Sequence, residues 1–253
     1  MKENILQAAI NGKDTYGVYL SIPSPSIVEM CKFVGFDYVR FDMEHSLFSA
    51  SEIRECLRTA HALGLPAWVR ISSLSQITTL LDMGATGIIV PDVKSRKEVE
   101  AAVELVKYAP IGMRGMMPSG MPLRYGLDPI VPSMEVANRE ICLVVQIESQ
   151  QAMNNIDEIL SVPGLDMVSM GKQDMSQSLG VAGQGGHPDV VAAENLQIKK
   201  TLAAGKCPAP LVTSPERMRA FREMGVHCFT VAYDTPIVMG AFSNILNEYK
   251  GCV

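Results

Sequence analysis

Eight short apolar runs, separated by helix-start signals, constrain the fold of this chain more than any other feature. They are YGVYL 16–20, YVRFD 38–42, AWVRI 67–71, GIIVP 87–91, LVVQIE 143–148, MVSMG 167–171, APLV 209–212 and FTVAY 229–233. Between them, Ser49 with Glu52 and Ser95 with Glu98 have capping-box spacing, and Ser214 precedes Pro215 at a first-turn position. Strands that alternate with helices form α/β folds with parallel sheets, and eight such units predict a closed (β/α)8 barrel. An open doubly wound sheet fits the same alternation, but neither GxGxxG nor GxxxxGK[ST] occurs. The length of 253 residues suits one barrel, so a single domain is expected over 1–253.

Composition narrows the partners. Hydrophobic residues make up 47% with only seven Phe and one Trp, so the core is aliphatic. A net charge of -5, from 22 basic and 27 acidic residues, gives no footprint for nucleic acid and points to small-molecule partners. The six cysteines (Cys31, Cys56, Cys142, Cys207, Cys228, Cys252) make no CxxC and no zinc spacing, as expected of reduced thiols in the cytoplasm. The first residues, MKENILQAAINGK, lack the apolar core of a secretory signal, and no window approaches the roughly 20 apolar residues of a membrane span. A cytoplasmic protein with no membrane contact is the expectation.

Barrel chemistry sits at the carboxyl ends of the strands, where this chain concentrates its polar residues. Strand two runs into Asp42, Glu44 and His45, strand three ends at Arg70, and strand four precedes Asp92. Strand five carries Gln146 and Glu148, and Asp174 follows strand six. Gln146 and Glu148 are two apart and share a face, so Glu148 looks into the mouth. Neighbouring strands lie about 4.8 Å apart, which lets Glu148 and Asp174 share one ion. Oxygen ligands without His or thiolate favour Mg2+ or Mn2+ with an open shell. Spacing alone leaves alternatives: an ion pair or helix cap for the two acids, a surface or packing role for His45, and a salt bridge for Arg70. His61, His187 and His227 read as structural. The Gly-, Met- and Pro-rich stretch 111–130 is predicted to be a long functional or contact-forming loop.

The strings FDMEHS, WVRI, LLDMGATGIIVPDV, APIGMRG, VVQIES, PGLDMVSMGKQDMSQSLG and HPDV, in that order, resemble the HpcH/HpaI family of pyruvate-dependent class II aldolases over nearly the whole chain. The resemblance implies a TIM barrel of the phosphoenolpyruvate/pyruvate-binding type that cleaves a 4-hydroxy-2-oxo acid to pyruvate and an aldehyde. It implies a divalent ion (Mg2+ or Mn2+, with Co2+ as a third candidate) and a homo-oligomer, hexamer or trimer. Carried onto matching positions, it makes Glu148 and Asp174 the metal pair, Arg70 the cation that steadies the enolate and His45 the base. Asp82 corresponds to the acid that raises the basicity of His45, and Asp42 joins the catalytic set. Gln146, Gly171 and the backbone at Gln173 and Asp174 hold pyruvate. Three departures stand out: Gly171-Lys172-Gln173-Asp174 replaces the family's GPxD, Met43 replaces a glycine, and Ile71 replaces a proline. Lys172 opens a second mechanism, a Schiff base. Two further alternatives are a keto-acid-binding barrel without turnover and a related acyl-CoA lyase.

Overall fold

The structure, a computed structural model, describes residues 4–251; Cys252 lies outside them. Eight parallel strands form one sheet: β1 Thr15–Leu20, β2 Tyr38–Asp42, β3 Ala67–Arg70, β4 Gly87–Val90, β5 Cys142–Ile147, β6 Met167–Met170, β7 Cys207–Pro208 and β8 Cys228–Tyr233. Their order, β7-β6-β5-β4-β3-β2-β1-β8, rolls the sheet until its ends meet. Closure runs through a parallel bridge of Leu211 to Thr230, with the Val212 N–H donating to Thr230 O at 2.8 Å. β7 is shorter and earlier than the expected 209–212. Pro208 and Pro210 have no N–H to give to a ladder, so regular pairing stops there.

Side-chain parity divides the barrel into two cores. Val39, Phe41, Val69, Ile88, Val145, Ile147 and Val168 point outward and pack under the surrounding helices. Tyr19, Tyr38, Trp68, Ile89, Val144 and Met167 point inward, and Ile5 and Ala9 of the helix Ile5–Ile10 join them. Both faces of every strand are covered, which explains runs that are apolar without a break. The predicted helix starts are present: Ser49 with Glu52 and Ser95 with Glu98 form capping boxes, and Ser214 caps the helix Pro215–Glu223. The stretch 111–130 carries a 3-10 turn, Met121–Gly126, with Arg124 and Tyr125 at positive φ and an Arg124–Asp128 ion pair.

The barrel interior holds wide rings only because a neighbouring strand gives way. Tyr38 and Trp68 stack at 4.6 Å, and a Cβ on Gly87 would lie 2.7 Å from Trp68 Cγ. The five described cysteines are buried and free. Among the described residues no helix is long and apolar enough to cross a membrane. Gly87→Ala is expected to lower the unfolding free energy by about 1–3 kcal/mol, the usual cost of overpacking, as measured by urea denaturation.

Candidate active site

The carboxyl ends of the strands surround a cavity of about 610 Å³. His45, Arg70, Gln146, Glu148, Gly171, Gln173 and Asp174, all expected at the site, line it. Asp42 stands behind Arg70 and fixes it through a two-pronged contact, Nε to Oδ1 at 3.0 Å and Nη2 to Oδ2 at 2.7 Å. The same carboxylate accepts the backbone N–H groups of Glu44 and His45 at 3.1 and 3.3 Å, so it also shapes the turn after β2. Burial pushes the Asp42 carboxyl up, but hydrogen bonds and charge from Arg70 outweigh it and hold Asp42 below the ordinary carboxylate value. Arg70 is therefore a cation locked in one orientation.

The acids across the cavity are less well neutralised. Glu148 is buried, and its Oε2 accepts the Asp92 N–H at 2.9 Å. Among the described residues no cation lies within ion-pair distance of Glu148 or Asp174. Burial lifts the Glu148 carboxyl to about 7; the Asp92 N–H opposes that rise, the charges of Glu44 and Asp174 add to it, and Arg70 draws it down. Burial also raises Glu44. Glu44 Oε2 lies 3.3 Å from Arg70 Nη1 and 3.5 Å from His45 Nε2, as ion-pair contacts without hydrogen-bond alignment. A Cβ on Gly171 would lie 2.7 Å from Glu148 Cδ, so the glycine after β6 leaves the space that this carboxylate occupies.

Asp82, expected beside His45, does not reach it within the chain. Asp82, at the end of the helix Ile77–Asp82, accepts from Arg114 Nη2 at 2.8 Å and is not on the cavity wall. Within the chain, the acid beside the His45 imidazole is Glu44. Lys172 lines the cavity, but its Nζ sits 3.3 Å from Glu194, a buried carboxylate that also takes Arg217 at 2.9 Å. Asp174 falls in the first turn of the helix Lys172–Ser178, so it projects from a rigid element beside the end of β5.

Sequence reasoning missed the inward side chains beneath the rim. Tyr19, Arg40, Ser169 and Tyr233 also line the cavity. The signal was present in YVRFD: Arg40 and Asp42 are two apart on one strand, so the parity that turns Asp42 inward turns Arg40 inward too.

The profile of the HpcH/HpaI aldolase/citrate lyase family matches residues 15–241. The chain belongs to this family. It is 31% identical over 245 residues to the 4-hydroxy-2-oxo-heptane-1,7-dioate aldolase of Shigella sonnei (strain Ss046), covering 94% of this chain and 92% of that protein. Its fold is similar to that of the HpcH/HpaI aldolase from Desulfitobacterium hafniense DCB-2, with a TM-score of 0.92 at 27% identity over 98% and 97% of the two chains. It is equally similar to the citrate synthase SbnG, with a TM-score of 0.91 at 31% identity over 99% and 98%.

The raised Glu148 carboxyl has a signed consequence for the metal-free protein. Its stabilising contribution is full below the ordinary value of 4.5 and is lost as pH rises to about 7. In EDTA, Glu148→Gln is expected to melt near the wild-type temperature at about pH 4 and above it beyond about pH 7. A pH-independent difference in Tm contradicts this.

Proposed function

We propose that the chain is a divalent-metal-dependent aldolase that reversibly splits a 4-hydroxy-2-oxo acid into pyruvate and an aldehyde. The observation that carries this reading is the pairing, across one cavity, of under-neutralised carboxylates (Glu148, Asp174) with a fixed guanidinium (Arg70).

The residues fit a divalent cation. Glu148 and Asp174 supply hard oxygen donors, Gly171 leaves room for the Glu148 carboxylate, and mutual repulsion of the acids is relieved by positive charge. Among the described residues no group of three or more His, Cys, Asp or Glu is placed to hold an ion. Two protein ligands suit a shell shared with water and substrate. Mg2+, Mn2+ and Co2+ are the candidates. When bound, such an ion supplies Lewis-acid polarisation of the keto oxygen.

The remaining work falls to the chain. Arg70, held by Asp42, places fixed positive charge where negative charge develops on the keto oxygen. His45 takes the 4-hydroxyl proton as the C3–C4 bond breaks; the electron pair stays with the pyruvate fragment, and protonation at C3 completes it. Glu44 steadies the charged imidazole. Gln146 and the first-turn N–H groups of Gln173 and Asp174, which have no intrahelical acceptors, orient the carboxylate of pyruvate. The Lys172–Glu194 ion pair disfavours the Schiff-base alternative, because it engages the amine with a carboxylate rather than leaving it free to attack a keto carbon. A homo-oligomer in the cytoplasm completes the proposal. Ile237, Phe242, Ile245 and Leu246 are exposed on the helix Asp234–Lys250, and a second copy of the chain would cover them.

The test is pyruvate release from a panel of 4-hydroxy-2-oxo acids. EDTA should abolish it and Mg2+ or Mn2+ restore it, while Arg70→Ala lowers kcat by about 10²- to 10³-fold. Lys172→Ala should retain metal-dependent turnover. Chelator-resistant turnover with a borohydride-trapped pyruvate adduct on Lys172 would overturn the proposal.

A further inference from the structure

Glu194 is a buried carboxylate that the proposed reaction does not use. It sits on the helix Pro188–Ala203, 2% exposed and off the cavity wall, and its Oε2 meets two cations. Arg217 Nη2 donates to that oxygen at 2.9 Å, and Lys172 Nζ stands 3.3 Å from it. Arg217 has further support: the same Nη2 donates to Asn195 Oδ1 at 2.9 Å, and its Cζ lies 4.2 Å from the centroid of the buried Phe221 ring. Lys172 has less. Among the described residues Glu194 is the only carboxylate within ion-pair distance of its ammonium.

The place of Lys172 gives that contact a consequence for the site. It is the first residue of the helix Lys172–Ser178, two before Asp174, and it lines the cavity together with Asp174 and Glu148. Among the described residues those two are the only carboxylates on the cavity wall. Residues two apart on a helix leave it on different sides, but a lysine carries its charge on a flexible four-carbon stem. Without Glu194, the acids left to that ammonium in the cavity are Glu148 and Asp174. A tethered cation competes at high effective concentration. A site left open in about a tenth of the molecules binds its ion about tenfold more weakly.

We propose that Glu194 is a positioning residue that holds Lys172 away from Glu148 and Asp174 and so keeps that pair open to a divalent cation. Arg217 braces Glu194 from outside the cavity. This rests on the metal-site reading above and adds a residue that acts on the site without touching the ion or the substrate.

Mn2+ binding, read without turnover from the electron paramagnetic resonance signal of the free ion, tests the proposal on the whole protein, with folding of each variant checked by circular dichroism. Glu194→Gln is expected to raise the Kd for Mn2+ about tenfold or more. Adding Lys172→Met to Glu194→Gln should bring the Kd back to within about threefold of wild type, a rescue that lost packing around a buried side chain does not give. Lys172→Met alone should bind Mn2+ no more weakly than wild type. If Glu194→Gln does not fold, Lys172→Met alone decides: binding as tight as wild type supports the proposal, and a loss of about tenfold overturns it. An unchanged Kd in Glu194→Gln, or a double variant as weak as Glu194→Gln, overturns the role of Glu194 while leaving Mn2+ binding by the wild type intact. No binding by the wild type, or binding that Glu148→Gln leaves untouched, removes the metal-site reading itself.

Discussion

Charge placed where water screens it poorly organises the mouth of this barrel. Asp42 and Arg70 satisfy each other through two hydrogen bonds, and the guanidinium is thereby fixed at the cavity wall. Glu148 has no such partner. It is held by one backbone N–H and faces Glu44 and Asp174, so one side of the cavity carries more negative charge than the chain's own cations cancel. A bare arrangement of this kind is unfavourable, and a divalent cation is the simplest species that makes it favourable. In the proposed reaction, the separation of a locked cation from a cluster of acids would suit a substrate that is both a chelator and an anion in the making.

The scaffold permits this because the strands need no help from the mouth. Both faces of the sheet are apolar, and closure is completed between Leu211 and Thr230. The rim can then hold mutually repelling groups without unravelling the barrel. Close approach at two glycines matters more than sequence length would suggest: Gly87 accommodates Trp68 in the interior, and Gly171 accommodates the Glu148 carboxylate at the rim.

Much of this was legible in the residue order. Period-two parity places Gln146 and Glu148 on one face, and the capping boxes at Ser49 and Ser95 mark the helix starts that space the strands. What escaped depends on distance in space rather than along the chain. β7 is foreshortened because two prolines interrupt its ladder, and APLV gives no hint of where pairing stops. Asp82 is captured by Arg114 from a loop 32 residues away, a contact no local pattern encodes. Lys172 pairs with Glu194 for the same reason. Arg40 was within reach of parity but hidden inside an apolar run.

The account turns on a cation shared by Glu148 and Asp174. Crystals soaked in Mn2+, measured at the manganese absorption edge, test it most directly. An anomalous peak between those two carboxylates, lost in Glu148→Gln, is the predicted result; an ion bound elsewhere, or a peak unchanged in that variant, would contradict it.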